Sequence, residues 1–111
     1  PTVSETVTIK GAAALMIAES VNHLPVVSKN GCLIGIVTSW DISRSVAQDV
    51  KTLEDIMTRT VLTATPGEHI STAVSRMQKN GISALPVVDE ENRVVGIITA
   101  ERLSRLVVRC E

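Results

Sequence analysis

Apolar residues recur along this chain with two periods, and the second half shows both. Ile70, Ala73, Val74 and Met77 fall three or four positions apart, which places them on one face of a helix. Asn80-Gly81 ends that run, and Gly81 can take the left-handed conformation of a helix C-cap. Leu85 to Val88 is a short apolar run that reads as a strand. Asp89 to Asn92 reads as a turn, and Val94 to Thr99 as a further strand. Ahead of the helix, Thr60 to Thr65 is rich in β-branched residues and predicts a strand that Pro66-Gly67 terminates. A closing helix is expected from Glu101 onward. The predicted order is β-α-β-β-α.

The same pattern occurs earlier in the chain. Leu24-Pro25-Val26-Val27 returns as Leu85-Pro86-Val87-Val88, an offset of 61 residues. At that offset Gly35-Ile36 falls on Gly96-Ile97, Thr38 on Thr99, and Ser43-Arg44 on Ser104-Arg105. Ile9, Ala12 and Met16 fall on Ile70, Ala73 and Met77 without a gap. A register held that long is a duplicated structural unit. The first copy predicts a helix from about Glu5 to Glu19, weakened by roughly 1 kcal/mol at Gly11 relative to Ala. Lys29-Asn30-Gly31 predicts a tight hairpin turn. Between the copies, Thr52-Leu53-Glu54-Asp55 reads as a capped short helix leading into Ile56-Met57. Counterparts of Met57 to Leu62 would fall before Pro1. The first copy therefore reads as lacking its initial strand, and the sequence as part of a longer polypeptide.

Composition narrows the function classes. With 111 residues, 44% of them hydrophobic, the chain can bury a core. Net charge is −1 and the Lys and Arg residues form no stripe, which argues against nucleic acid. No apolar run approaches the roughly 20 residues of a membrane span. Cys32 and Cys110 lack metal-ligand spacing and read as reduced thiols, so a cytoplasmic location is expected. Phe and Tyr are absent and there is one Trp, so the core rests on aliphatic residues and Met. Met16 and Met77 are core positions, and Asp89-Glu90-Glu91 is a solvated turn. No nucleophile–base pair, metal cluster or Gly-rich phosphate loop is evident, which argues against an enzyme.

Each copy has one chemically pointed stretch, where a buried strand runs into a helix. The first is Gly35-Ile36-Val37-Thr38-Ser39-Trp40-Asp41-Ile42. The second is Gly96-Ile97-Ile98-Thr99-Ala100-Glu101-Arg102-Leu103. Such a corner presents free backbone N–H groups and favours anionic or polar ligand groups. Thr38-x-x-Asp41 is also a capping box with Asp in place of Glu or Gln, and the two roles are compatible. Where the first copy has Asp41, the second has Arg102, which cannot accept a hydrogen bond.

Two β-α-β-β-α units, each with a Leu-Pro-Val-Val strand and a Gly-Ile-(Val/Ile)-Thr corner, resemble a tandem pair of CBS (cystathionine β-synthase) domains, or Bateman module. The similarity extends over the whole chain and is nearest to archaeal pairs that bind S-adenosylmethionine-type ligands. It implies an α/β (α+β) fold of two repeats packed sheet to sheet about a pseudo-twofold axis. Residues 1–48 would be the first repeat, 49–58 a linker with a short helix, and 59–111 the second repeat. It also implies two clefts, each built from both copies.

Carried onto this sequence, the resemblance makes Asp41 the acceptor for the ribose hydroxyls, with Thr38 beside it. A carboxylate can take both hydrogen bonds of a vicinal diol, and charge-assisted bonds are the strong ones. Met57, Thr58, Val61 and Leu62 would line the cleft from the second copy's start. Ile82, Ser83 and Ala84 would complete the adenine pocket, while Asn22 and His23 would approach the phosphate or its replacement. Trp40 departs from the family pattern and reads as a wall of the cleft, as packing over the ligand tail, or as structural cover. Met57 reads equally as core, and His23 as a polar residue at a strand start. The Arg102 cleft is expected to be empty, weak or used by a different anion.

A cleft with only His23 near the ligand tail, and Arg44 and Arg59 within reach, is poorly supplied for phosphates. Met57 nearby suits a thioether or sulfonium. S-adenosylmethionine or methylthioadenosine is therefore expected, with AMP or ATP as the alternative and a ligand-free oligomerisation scaffold as a further one. The resemblance also implies a homodimer through the CBS helices and a covalently linked parent domain.

Overall fold

Two prolines sit in the middle of strands, and the sheets are arranged so that their missing N–H groups cost nothing. The computed structural model describes residues 1–100. In it, β2 (His23–Val27) lies between β1 (Val3–Ser4), which it meets in parallel, and β3 (Leu33–Thr38), which it meets antiparallel. Pro25 stands opposite Ile36. Thr58 bonds that same Ile36 from the far side of β3, giving its carbonyl to the Ile36 N–H and its N–H to the Ile36 carbonyl, each at 2.9 Å. The Ile36 backbone groups therefore point away from the proline, and no ladder bond is lost there.

The second copy repeats the plan. β4 (Ala84–Val88) pairs antiparallel with β5 (Val94–Thr99), placing Pro86 opposite Ile97. Both ladders slip at the same point, between Val26 and Val27 and between Val87 and Val88. Ala64 bridges Val87 in parallel, as Val3 pairs with Val26. The helices are α1 (Ile9–Glu19), α2 (Ser39–Gln48), α3 (Leu53–Ile56) and α4 (Ile70–Asn80). The chain divides into two compact units, Pro1–Val61 and Leu62 onward.

Each unit has an aliphatic core. In the first, Leu24, Val26 and Val37 are fully buried with Met16, Ile56 and Met57 around them. Full burial of a Leu side chain contributes roughly 1.5–3 kcal/mol. In the second, Leu85 is fully buried against Ala64, Ala73 and Met77. Met16 and Met77 thus occupy the core positions that their helical spacing predicts.

Turn chemistry follows the repeat. Gly31 (φ 79°) and Asn92 (φ 63°) hold the same left-handed position in the two hairpin turns. Ser20 (φ 54°) and Gly81 (φ 62°) do the same at the ends of α1 and α4.

Three expectations are corrected. The strand expected at Thr60 to Thr65 is reduced to the single bridge at Ala64. Side chains take the backbone groups on either side: Arg76 Nη1 donates to the Thr63 carbonyl (2.7 Å), and the Thr65 N–H donates to Glu68 Oε1 (3.1 Å). The first helix begins at Ile9 rather than near Glu5, because Thr8 caps it by accepting from the Gly11 N–H at 2.9 Å. The helix at Leu53 lacks its expected side-chain cap; the Thr52 hydroxyl donates instead to Asp55 Oδ2 at 2.6 Å. The expected closing helix, Glu101, Arg102 and Cys110 lie outside the described residues.

No helix among the described residues is long and apolar enough to cross a membrane. Among the same residues, no cluster of His, Cys, Asp and Glu is suited to a metal ion.

Candidate functional site

The corner at Thr38–Asp41 is a reciprocal capping box. The Asp41 N–H donates to Thr38 Oγ1 at 3.2 Å, and the Thr38 N–H donates to Asp41 Oδ2 at 2.9 Å. The Thr38 hydroxyl adds a bond to the same Oδ2 at 3.0 Å. Asp41 is 7% exposed, an unusual state for a carboxylate and one that these bonds compensate. It also stands in the first turn of α2, where the helix dipole favours negative charge.

The other oxygen is less committed. Arg44 Nη2 lies 3.4 Å from Asp41 Oδ1 and donates to the Ile56 carbonyl at 3.1 Å. A carboxylate has about four lone-pair sites, and among the described residues only this one long contact falls on Oδ1. Oδ1 therefore retains capacity for a further donor. The sequence leaves Arg44 merely within reach of a ligand, although its i,i+3 spacing from Asp41 already carries the signal for the contact.

The backbone brings Asn22 and His23 to the same corner. The Asn22 carbonyl accepts from the Ser39 N–H at 3.0 Å, and His23 pairs in register with Thr38. Half-burial holds the His23 pKa below its ordinary 6.5, and the nearby Asp41 charge only partly opposes this. Neutral imidazole is thereby favoured. Trp40 is 73% exposed, so the reading of it as structural cover is not realised.

Met57 belongs to the core of the first unit. A Cβ placed at Gly35 would meet the Met57 Sδ at 2.8 Å and the Thr58 carbonyl at 3.0 Å, so this close crossing requires glycine. The Thr58 residue is exposed while its backbone pairs with Ile36, and Val61 is half-buried.

In the second unit the same frame recurs. The Ala100 N–H donates to the Ser83 carbonyl at 2.9 Å, as Ser39 does to Asn22. Ala84 is buried opposite Thr99, Ile82 packs partly against the core, and Leu62 is 39% exposed. Arg102, the counterpart of Asp41, lies outside the described residues.

Comparison with known proteins places this frame. The model of the CBS domain matches residues 1–48 and 53–109. A homoserine O-acetyltransferase of Methanococcoides burtonii is 57% identical over 106 residues, which is 96% of this chain and 22% of that protein. An L-aspartate semialdehyde sulfurtransferase of Methanocaldococcus jannaschii is 48% identical over 105 residues, 95% of this chain and 21% of its own length. The chain thus spans about a fifth of the curated relatives it matches.

Among solved structures, the CBS domain pair of protein MJ0100, in complex with 5′-methylthioadenosine and S-adenosyl-L-methionine, is 44% identical with a TM-score of 0.93. The alignment covers 100% of this chain and 91% of that one. CBSX2, solved with AMP, has a TM-score of 0.87 at 23% identity, over 99% of this chain and 88% of its own, and shares the fold. The family match over both halves, with one corner frame built twice, shows that this chain belongs to the CBS-domain family and carries a pair of such domains.

Proposed function

We propose that this chain is the regulatory, ligand-sensing part of a longer polypeptide, and that it binds an adenosyl compound. S-adenosylmethionine or methylthioadenosine is favoured over AMP or ATP. The observation that carries this reading is the likeness, at 44% identity and full coverage, to a CBS pair solved with both favoured compounds. Asp41 Oδ1 takes the ribose hydroxyls, with Thr38 fixing the carboxylate. Asn22, His23, Trp40, Met57, Thr58 and Val61 of the first unit contribute to the site. Leu62, Ile82, Ser83 and Ala84 of the second unit contribute with them.

The charge inventory supports the order of ligands. Phosphates call for fixed cations. Arg44 is already engaged by Asp41 and Ile56, Arg59 stands 4.0 Å from Glu54, and His23 is biased toward its neutral form. A ligand held by both units binds one arrangement of them better than others and shifts that equilibrium, which is how a signal would pass onward. The recipient is a covalently linked parent domain. The names of the relatives suggest an enzyme acting on homoserine or aspartate semialdehyde. We further propose a cytoplasmic homodimer formed through the CBS helices, with no catalysis by the pair itself.

Isothermal titration of the purified chain with S-adenosylmethionine, methylthioadenosine, AMP and ATP tests the reading. Binding of either of the first two, weakened about 10- to 100-fold in Asp41→Asn through loss of a charge-assisted bond, is expected. Tight AMP binding with no response to the other two would reverse the order. No binding to any of the four would leave the scaffold reading.

A further inference from the structure

The tripeptide Lys-Asn-Gly occurs twice in this chain, as Lys29-Asn30-Gly31 and as Lys79-Asn80-Gly81. An asparagine followed by glycine can close on itself. The glycine backbone nitrogen attacks the side-chain amide carbon of the asparagine, and no Cβ on the glycine crowds the approach. Both asparagines are exposed, and the preceding lysine is the same. Local sequence and access of water therefore do not separate the two sites. The fold does.

Asn80 is the last residue of α4, and its Nδ2 donates to the Arg76 carbonyl at 2.8 Å. That bond holds the amide back along the helix. Ring closure would also turn the Asn80 backbone out of its helical conformation. The bonds that end the helix would go with it: Gly81 N–H to the Gln78 carbonyl (3.4 Å) and Ile82 N–H to the Met77 carbonyl (3.1 Å). Met77 is itself part of the core of the second unit.

Asn30 sits at the tip of the hairpin, beyond Val27 and Leu33, the last paired residues of β2 and β3. Among the described residues no hydrogen bond holds its side chain. A single turn bond, from the Gly31 N–H to the Ser28 carbonyl at 3.0 Å, must open to free the attacking nitrogen. Opening it leaves the β2–β3 ladder intact, so the cost is that of a local fluctuation at an exposed turn. The equivalent turn of the second unit has Asn92 followed by Arg93 and lacks the pair.

We propose that Asn30 is a site of spontaneous deamidation and that α4 protects Asn80 from the same reaction. The Gly31 nitrogen gives up its proton and bonds to Asn30 Cγ. The Cγ–Nδ2 bond breaks, and Nδ2 leaves as ammonia with that proton. Water then opens the cyclic imide at one of its two carbonyls. Opening at the backbone carbonyl gives iso-aspartate, and opening at Cγ gives aspartate. Either product places a new carboxylate beside Lys29. Iso-aspartate also routes the backbone through Cβ. The extra atom falls in a turn whose Gly31 is held at φ 79°, and the hairpin is loosened there.

The test ages the purified chain in mildly alkaline buffer, folded and, in parallel, unfolded in urea. Mass spectrometry with fragmentation that separates iso-aspartate from aspartate follows both sites. In the folded chain Asn30 should convert about tenfold or more faster than Asn80, and in urea the two rates should converge. Asn30→Ser should abolish the folded-state product while Asn80 stays intact. Equal folded rates, a faster Asn80, or an Asn30 slowed by folding as much as Asn80 would overturn the proposal. The iso-aspartyl form, separated by ion exchange, should melt below Asn30→Asp, which carries the same charge on an ordinary backbone. Equal melting temperatures would overturn the loosening of the hairpin.

Discussion

Arg44 and Asp41 hold each other one turn apart on α2, and Arg44 carries the link onward. Its Nη2 lies 3.4 Å from Asp41 Oδ1 and 3.1 Å from the Ile56 carbonyl, which precedes Met57 at the end of α3. The carboxylate at the candidate site is thus tied to the core of its own unit. Arg44→Met should cost about 1 kcal/mol, mostly from the bond to Ile56. The ion pair itself is about a third exposed on the Arg side and adds little. Asp41→Ala removes the cap and should cost about 2 kcal/mol. Urea denaturation checks both values, and ligand affinities of these variants should be read only at denaturant-free temperatures where they remain folded.

Ser20 stands in the left-handed conformation that Gly81 adopts in the second unit. Serine meets a steric penalty there that glycine does not. Ser20→Gly should therefore stabilise the chain by about 0.5–1 kcal/mol, and Gly81→Ser should destabilise it by a similar amount. Melting temperatures of the pair of variants, moving in opposite directions, are the check.

His23 gives a pH dependence of defined sign. Burial lowers its folded pKa below 6.5, so the unfolded chain takes up the proton first as pH falls. Its contribution to stability is present above about pH 6.5. It is lost as pH falls through the window between that value and the lower folded one. Asp41 faces the ring and limits the shift without reversing it. The melting temperature should fall between about pH 7.5 and 5.5, and His23→Gln should flatten that decline.

Glu68 and Arg76 form an ion pair at 2.9 Å in the second unit. Their counterparts in the first unit are Val7 and Leu15, which pack against its core. One position pair is thus solved by charge in one copy and by apolar contact in the other. Arg76→Leu alone should cost about 1 kcal/mol, because the Thr63 carbonyl loses its donor. The double variant Glu68→Val, Arg76→Leu should cost less than the two single variants summed, as a double-mutant cycle would show. The bond from Arg76 also holds the Glu68 carboxyl below the usual carboxylate range. What that pair contributes is present above about pH 4.5 and fades as pH falls through the lower folded value.

Much of this architecture is legible in the sequence because it is written twice. The offset that superposes Leu24-Pro25 on Leu85-Pro86 also superposes the observed registers Pro25–Ile36 and Pro86–Ile97, bulges included. Turn and cap positions were readable from Gly31, Gly81 and the Asn residues beside them, since few residues tolerate positive φ. The segment from Thr60 to Thr65 was not, although its β-branched composition favours a strand. Its backbone groups are claimed by Arg76 and Glu68, from beyond any local window. At the site, the capping box follows from local spacing, whereas Asn22 and His23 were reached through the family resemblance and come to the corner by strand pairing. The Arg44 tie to Ile56 spans 12 residues and depends on how α3 folds back, which spacing does not reveal.

The pairing of Thr58 with Ile36 has a consequence for anyone recombining such modules. The place where the sequence stops matching one copy is not a safe splice point. A hybrid joined at residue 50 would take its closing strand from the donor of the other half, and the Ile36 backbone would be left to a foreign neighbour. Joined after Val61, the sheet of the first unit keeps the Thr58 partner whose approach Gly35 admits.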